Sequence, residues 1–142
     1  MDIFGQNNIL VQSLLSKVGN RNKNFQIARE KLSLTPQESA LYSRHLDNLY
    51  SSGGVDNPDG SRSTLYQTTV GIDGRQYIIP TVWNGKILSV ENAIREAEKI
   101  GLDKFPSYSS VDEAENRYGD IHRYMEQDMS DYFASKNKSP SK

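Results

Sequence analysis

The sequence predicts an α+β fold: a three-stranded antiparallel meander at about residues 62–88, flanked by helices and preceded by an N-terminal helical arm. Three observations predict it. Asp59-Gly60, Asp73-Gly74 and Asn84-Gly85 punctuate a stretch rich in β-branched and aromatic residues. Asx-Gly between such runs signals a hairpin, because the central turn residues must tolerate positive φ. Capping boxes stand at Thr35-Pro36-Gln37-Glu38 and at Ser110 to Glu113. Apolar residues before and after the meander recur at helical spacing.

The elements follow in order. Ile9, Leu10, Leu14 and Leu15, with Val11 and Val18, form an apolar stripe that Asn7 or Asn8 caps and Gly19 ends. The polar run Gly19 to Asn24 reads as a flexible joint, and Asn24 to Leu32 as a second short helix. A third helix starts at Thr35 and places Leu41, Tyr42, His45, Leu46 and Leu49 on one face, ending at Ser51 to Gly54. The strands are placed at Ser63–Ile72, Gln76–Val82 and Lys86–Leu88. Pro80 cannot donate a ladder hydrogen bond, so a bulge or strand break is expected beside it. Ser89 caps a helix with Ala93, Ile94, Ala97 and Ile100 inward and Gly101 as its stop. The last helix carries Val111, Ala114, Tyr118, Ile121, Tyr124 or Met125, Met129, and Tyr132 or Phe133, and runs nearly to Ala134. The domain reading is a helical arm at 1–20, an α+β module at 24–134 and a flexible basic tail at 135–142, which has no apolar residue to build a core.

Composition narrows the function classes. The chain has 142 residues, 35% of them hydrophobic, a formal net charge of -1 and a mean hydropathy of -0.70. That charge supplies no global attraction to nucleic acid or an anionic membrane. The absence of cysteine excludes disulfides, thiolate metal sites and cysteine nucleophiles. The N-terminus lacks signal-peptide character, and no apolar run approaches a membrane span. Synthesis in the cytoplasm as a soluble protein is the expectation.

Candidate chemistry is sparse. Asp56 to Ser61 invites a calcium reading, but with Gly60 at the sixth loop position, Val55 and Tyr66 fall where carboxylates are required. A structural turn is expected there, with Asn57 and Asp59 satisfying local amides. His45 and His122 are the only histidines, and no G-x-S-x-G or H-E-x-x-H occurs. Glu113, Glu115 and Asp120 read as solvated charges or as i,i+4 partners of Arg117 and Arg123 rather than as acids serving His122. The expectation is a protein that is not an enzyme and takes no cofactor or metal. Tyr66, Tyr77 and Trp83 could stack on single-stranded nucleic acid beside Arg62, Arg75 and Lys86. Packing beneath helices, or a protein-binding face, is the favoured alternative.

The segments NPDGSRST, VGIDGRQYIIPTVWNGKILS, AIREAEKIG and FPSYSSVDEAENRYGDIHRYMEQD together resemble a small virion-associated module of tailed bacteriophages. The matching elements are Asn57 to Thr64, Asp73-Gly74, Ile79 to Val82, Gly85-Lys86, Ala93-Ile94, Phe105 to Ser107, and Glu113-Ala114 through His122. The resemblance covers about Thr35 to Gln127. It implies an accessory module without known active-site residues, found in internal or ejected virion proteins and in cell-wall-degrading ones. The expected function is therefore a non-enzymatic structural or assembly protein of the virion, made in the host bacterial cytoplasm, binding larger virion proteins in multiple copies. Alternatives are an accessory of cell-wall-degrading machinery that binds peptidoglycan or a lytic partner, and a nucleic-acid-associated packaging protein. The expected partner-binding residues are Ile9, Leu10, Leu14 and Leu15 in the arm, Tyr66, Tyr77 and Trp83 in the sheet, and Lys136 and Lys138 in the tail.

Overall fold

The computed structural model describes Gly19 and residues 21–137. Helix α1 spans residues 21–32. The expected joint is thus helical at residues 21–24. Arg21 fixes it by pairing with Asp47 and reaching Ser43 Oγ at 3.3 Å. Ala28 is buried, and Phe25 and Leu32 pack on the core. Docking of an apolar face outweighs the weak helix propensity of the asparagines.

Helix α2, Pro36–Ser52, begins with the expected capping box. The Thr35 hydroxyl accepts the Glu38 N–H at 3.1 Å, and the Glu38 carboxylate accepts the Thr35 N–H at 3.0 Å. Leu41, Tyr42, His45, Leu46 and Leu49 are all buried, as their spacing predicts. Gly53, at φ 71°, closes the helix.

All three Asx-Gly turns form hairpins. The first joins β1 (Val55–Asp56) to β2 (Arg62–Ser63). Its loop is held by Asp59, whose carboxylate accepts the Ser61 N–H at 2.9 Å, and by Asn57, whose amide reaches Ser61 Oγ and Ser63 Oγ, each at 2.9 Å. The second joins β3 (Gln67–Ile72) to β4 (Arg75–Pro80) through Asp73 and Gly74 at φ 50° and 82°. The third joins β5 (Val82–Trp83) to β6 (Lys86–Ile87) through Asn84 and Gly85 at φ 52° and 77°. Positive φ at both central residues makes the last two the turns that match strand twist.

The three-stranded sheet exists, but its third strand is not the expected one. Lys86–Ile87 pairs only with Val82–Trp83, and the sheet order is β3-β4-β7, with β7 at Ser107–Tyr108. The chain breaks at Pro80, where a break was expected. Thr81 N–H still bonds to Tyr66 O, but the next residues leave the sheet as a separate hairpin. The vacated edge of β4 is taken by β7, with Ile78 N–H donating to Pro106 O at 2.9 Å. Pro106 favours this by restricting Phe105 to extended backbone, φ -110° and ψ 151°.

Helix α3, Val90–Ile100, runs from Ser89 to Gly101 as predicted. Ala93 and Ala97 are buried and Ile94 packs on the core, whereas Ile100 is 43% exposed, not inward. A 3₁₀ turn, Leu102–Lys104, leads to β7. Helix α4, Val111–Asn137, extends slightly past the expected end. Its second capping box is half-formed. Ser110 Oγ accepts the Glu113 N–H at 3.1 Å, but the Glu113 carboxylate takes the Ser109 hydroxyl at 2.6 Å. Val111 is exposed; Ala114, Tyr118, Ile121 and Met125 are buried.

The sheet lies between two cores. One joins α1, α2 and α4 with Leu65, Ile78 and Tyr108. The other joins α3 to Ile79, Trp83, Phe105, Val70 and Tyr77. Alternation along β4 sends Ile78 to the first and Ile79 to the second.

Candidate functional site

Two buried polar networks hold the first core together, and both were missed by the sequence reading. The first centres on Glu38, which is 1% exposed. Arg117 donates to both carboxylate oxygens, at 2.7 and 2.9 Å, and to Leu32 O at 2.6 Å. The Tyr108 hydroxyl donates to the same carboxylate. Arg117 was expected to pair along its own helix. It crosses to α2 because its position on α4 faces the buried acid, not solvent. Burial alone would raise the Glu38 pKa, but hydrogen bonds from Arg117, the Thr35 amide and Tyr108 outweigh it and hold the carboxyl below its ordinary range. The Tyr108 hydroxyl is pushed up by burial and by donating to Glu38.

The second network joins Thr64, His45, Asp128 and Tyr42. His45 Nε2 lies 3.2 Å from Asp128 Oδ2, and its Nδ1 meets the Thr64 hydroxyl. Tyr42 donates to the same Asp128 oxygen. Burial drives the His45 pKa down despite the carboxylate beside it, so the ring is neutral. A neutral ring that donates from Nε2 to Asp128 must accept the Thr64 proton at Nδ1. Burial, then the hydrogen bond to Asp128, drives the Tyr42 hydroxyl far above its usual pKa.

Thr64, His45 and Asp128 therefore stand in the hydroxyl–imidazole–carboxylate order of a hydrolytic triad. Two features mark this set as a tie between elements. Thr64 is only 3% exposed, and Asp128 is already shared with the interior Tyr42 hydroxyl. The set links α2, the segment after β2, and α4. The Asn48 side chain reinforces it by donating to Thr64 O at 2.6 Å. Among the described residues, every buried side-chain nitrogen and oxygen has a partner.

Two shallow clefts border these networks. One, of about 390 Å³, runs past Arg62, Thr64, Tyr118, His122 and Glu126. Its charged walls are committed. Arg62 donates to Gly53 O and Gly54 O, each at 2.8 Å, and pairs with Asp56. His122 stacks on Tyr118 and lies 3.3 Å from Glu126. The other, of about 410 Å³, is lined by Gln37, Arg75, Tyr77 and Ser107. Arg75 there donates to Ser107 Oγ at 2.9 Å and to Ser107 O at 3.0 Å. Among the described residues, no three acidic or histidine side chains gather as a metal site. No helix among them is long and apolar enough to cross a membrane.

The expected partner-binding residues are dispersed. Tyr66, the residue before β3, is 40% exposed. Tyr77 is half-buried against α3. Trp83 is 7% exposed, so the three do not form one open aromatic face. The bend after Pro80 turns Trp83 inward, its indole N–H donates to Pro80 O, and the Arg44 guanidinium covers its ring at 4.0 Å. Ile9, Leu10, Leu14, Leu15, Lys138 and the Lys136 side chain lie outside the described residues. Compared with family models, curated proteins and solved structures, the chain matches none.

Proposed function

We propose that this protein is a non-enzymatic assembly component of a tailed-bacteriophage virion, binding larger internal, ejected or tail-associated virion proteins. One observation supports it above the others. The chemistry-bearing side chains of the interior are spent on joining elements: Glu38–Arg117–Tyr108 on one side, Thr64–His45–Asp128–Tyr42 on the other. Such satisfied networks rigidify a small body and specify its packing. A rigid body with its reactive groups internally committed suits binding better than turnover. The motif order from Asn57 to His122 adds the bacteriophage context.

In this reading the ends of the chain carry attachment. The apolar stripe Ile9, Leu10, Leu14 and Leu15 and the cations Lys136 and Lys138 are the contacts to larger partners. Burying such a stripe supplies a few kcal/mol at roughly 25 cal/mol per Å², before ordering costs. The test is incorporation of a chain lacking residues 1–20 into particles. Exclusion of a still-folded truncated chain is expected. Full incorporation would remove the arm from the reading. Hydrolysis of purified cell wall by the full chain, abolished by Thr64→Ala or Glu113→Gln, would overturn the non-enzymatic reading itself.

A further inference from the structure

The outer edge of β3 carries a row of backbone groups whose phase can be read from its register. Residues of β3 pair with β4 as Gln67↔Pro80 through Ile72↔Arg75. A two-residue turn makes Ile72 and Arg75 a hydrogen-bonded pair, and the pairs then alternate. The bond from Thr81 N–H to Tyr66 O confirms the phase. Even-numbered residues from Tyr66 to Ile72 therefore bond inward to β4. Gln67, Thr69 and Gly71 each point an N–H and a C=O outward. Among the described residues, no hydrogen bond reaches these groups.

Nothing in the strand guards this edge. Its sequence, QTTVGI, has no charge and no proline, the usual protections against edge pairing. The opposite edge differs: β7 is two residues long, and Arg75 lies against Ser107. The faces of the sheet are covered by the two cores, so the β3 edge is the route by which it can grow.

We infer that two copies of this chain pair through β3 in antiparallel fashion, with a two-fold axis at Thr69. This register is the one that uses all the outward groups. Thr69 faces Thr69 of the second copy, Gln67 faces Gly71, and Gly71 faces Gln67. The intervening pairs also fit. Val70 meets Thr68, and the exposed Tyr66 meets Ile72, an aromatic–β-branched pair of the kind that stabilises sheets. Shifting the register by two residues leaves outward groups unpaired. The charge-free strand brings no like charges together across the axis. One isologous contact satisfies both edges and closes. The resulting six-stranded sheet runs β7-β4-β3-β3-β4-β7. The pairing is read from the strand edge and stands apart from the virion assignment.

The test is sedimentation equilibrium of the full chain between about 10 μM and 1 mM, the range suited to a contact smaller than a standard interface. The mass should rise from 16.0 kDa toward twice that value. Thr69→Pro removes one outward N–H and leaves the β3–β4 ladder intact, because residue 69 does not bond to β4. It should stay monomeric with an unchanged circular dichroism spectrum. Thr69→Cys supplies the single thiol of a cysteine-free chain. On mild oxidation it should form a disulfide-linked dimer at concentrations where Ser61→Cys, in the β1–β2 loop, does not. The inference is overturned by a parent chain that stays monomeric throughout, or by Thr69→Pro associating as the parent does. Equal cross-linking of the two cysteine variants would also overturn it.

Discussion

Replacing Arg117 by methionine removes the partner of a fully buried carboxylate, and the structure sets the cost. Arg117 makes two charge-assisted hydrogen bonds to Glu38 and one to Leu32 O, while methionine keeps most of its packing volume. Glu38 would retain only the Tyr108 hydroxyl and the Thr35 amide. Breaking a buried pair costs roughly 3–5 kcal/mol. The Arg117 side chain is 27% exposed, so water can reach part of the vacated site, which favours the low end, about 3 kcal/mol. For a domain of this size that is a fall in Tm of ~10 °C. Urea and thermal unfolding, followed by circular dichroism at pH 7, measure both. Adding Glu38→Gln to Arg117→Met should recover part of the loss, because the unpaired charge is gone; the double-mutant cycle reports the coupling. A loss below about 1 kcal/mol, or strict additivity of the two changes, would refute the argument that Glu38 is buried and dependent on Arg117.

Stability should peak between about pH 6.5 and 10. The folded His45 pKa is depressed, so its contribution is present above the unfolded value of 6.5 and is lost as pH falls toward the folded value. Glu38, also depressed, adds a second loss below about 4.5. Tyr42, Tyr108 and Tyr118 are raised, so their contribution holds below pH 10 and is lost as pH rises beyond it. Urea midpoints across pH 4–11 test this, and a profile flat from pH 7 to 5 would contradict the His45 assignment. Gly54→Ala should destabilise by about 2 kcal/mol or more. The added Cβ would sit 2.5 Å from Ser63 O at a backbone φ of +86°, and a neutral result in chemical denaturation would count against that close approach. Thr35→Ala should cost about 1 kcal/mol through loss of the α2 cap, measured in the same way.

The parts of the fold that were legible in the sequence are the local ones. Thr35 and Glu38 lie three residues apart and settle their cap without help from the rest of the chain. Asp73-Gly74 and Asn84-Gly85 specify positive φ wherever they occur. The third strand was not legible because its partner is chosen non-locally. Both Lys86–Ile87 and Ser107–Tyr108 are short extended segments, and the bend after Pro80 decides between them. The burial of Glu38 and Asp128 was not legible for another reason, since a carboxylate on a helix is usually solvated. A signal was present nonetheless. Asp128 continues the stripe Ala114, Tyr118, Ile121 and Met125 at the same spacing, and Glu38 precedes Leu41, Tyr42 and His45 on theirs. An acid within an apolar stripe, facing a chain with a spare arginine or histidine, is the pattern to look for. Such marks flag Asp128 and His45 one at a time, but nothing local joins them to Thr64, because the three come from distant segments.

The proposed virion membership is tested most directly by quantitative mass spectrometry of tailed-phage particles purified from an infection in which the chain is produced. A structural component should appear in multiple copies per particle, at a constant ratio to the major capsid protein through successive purification steps. Peptides abundant in infected-cell lysate but lost from purified particles would contradict the assembly role.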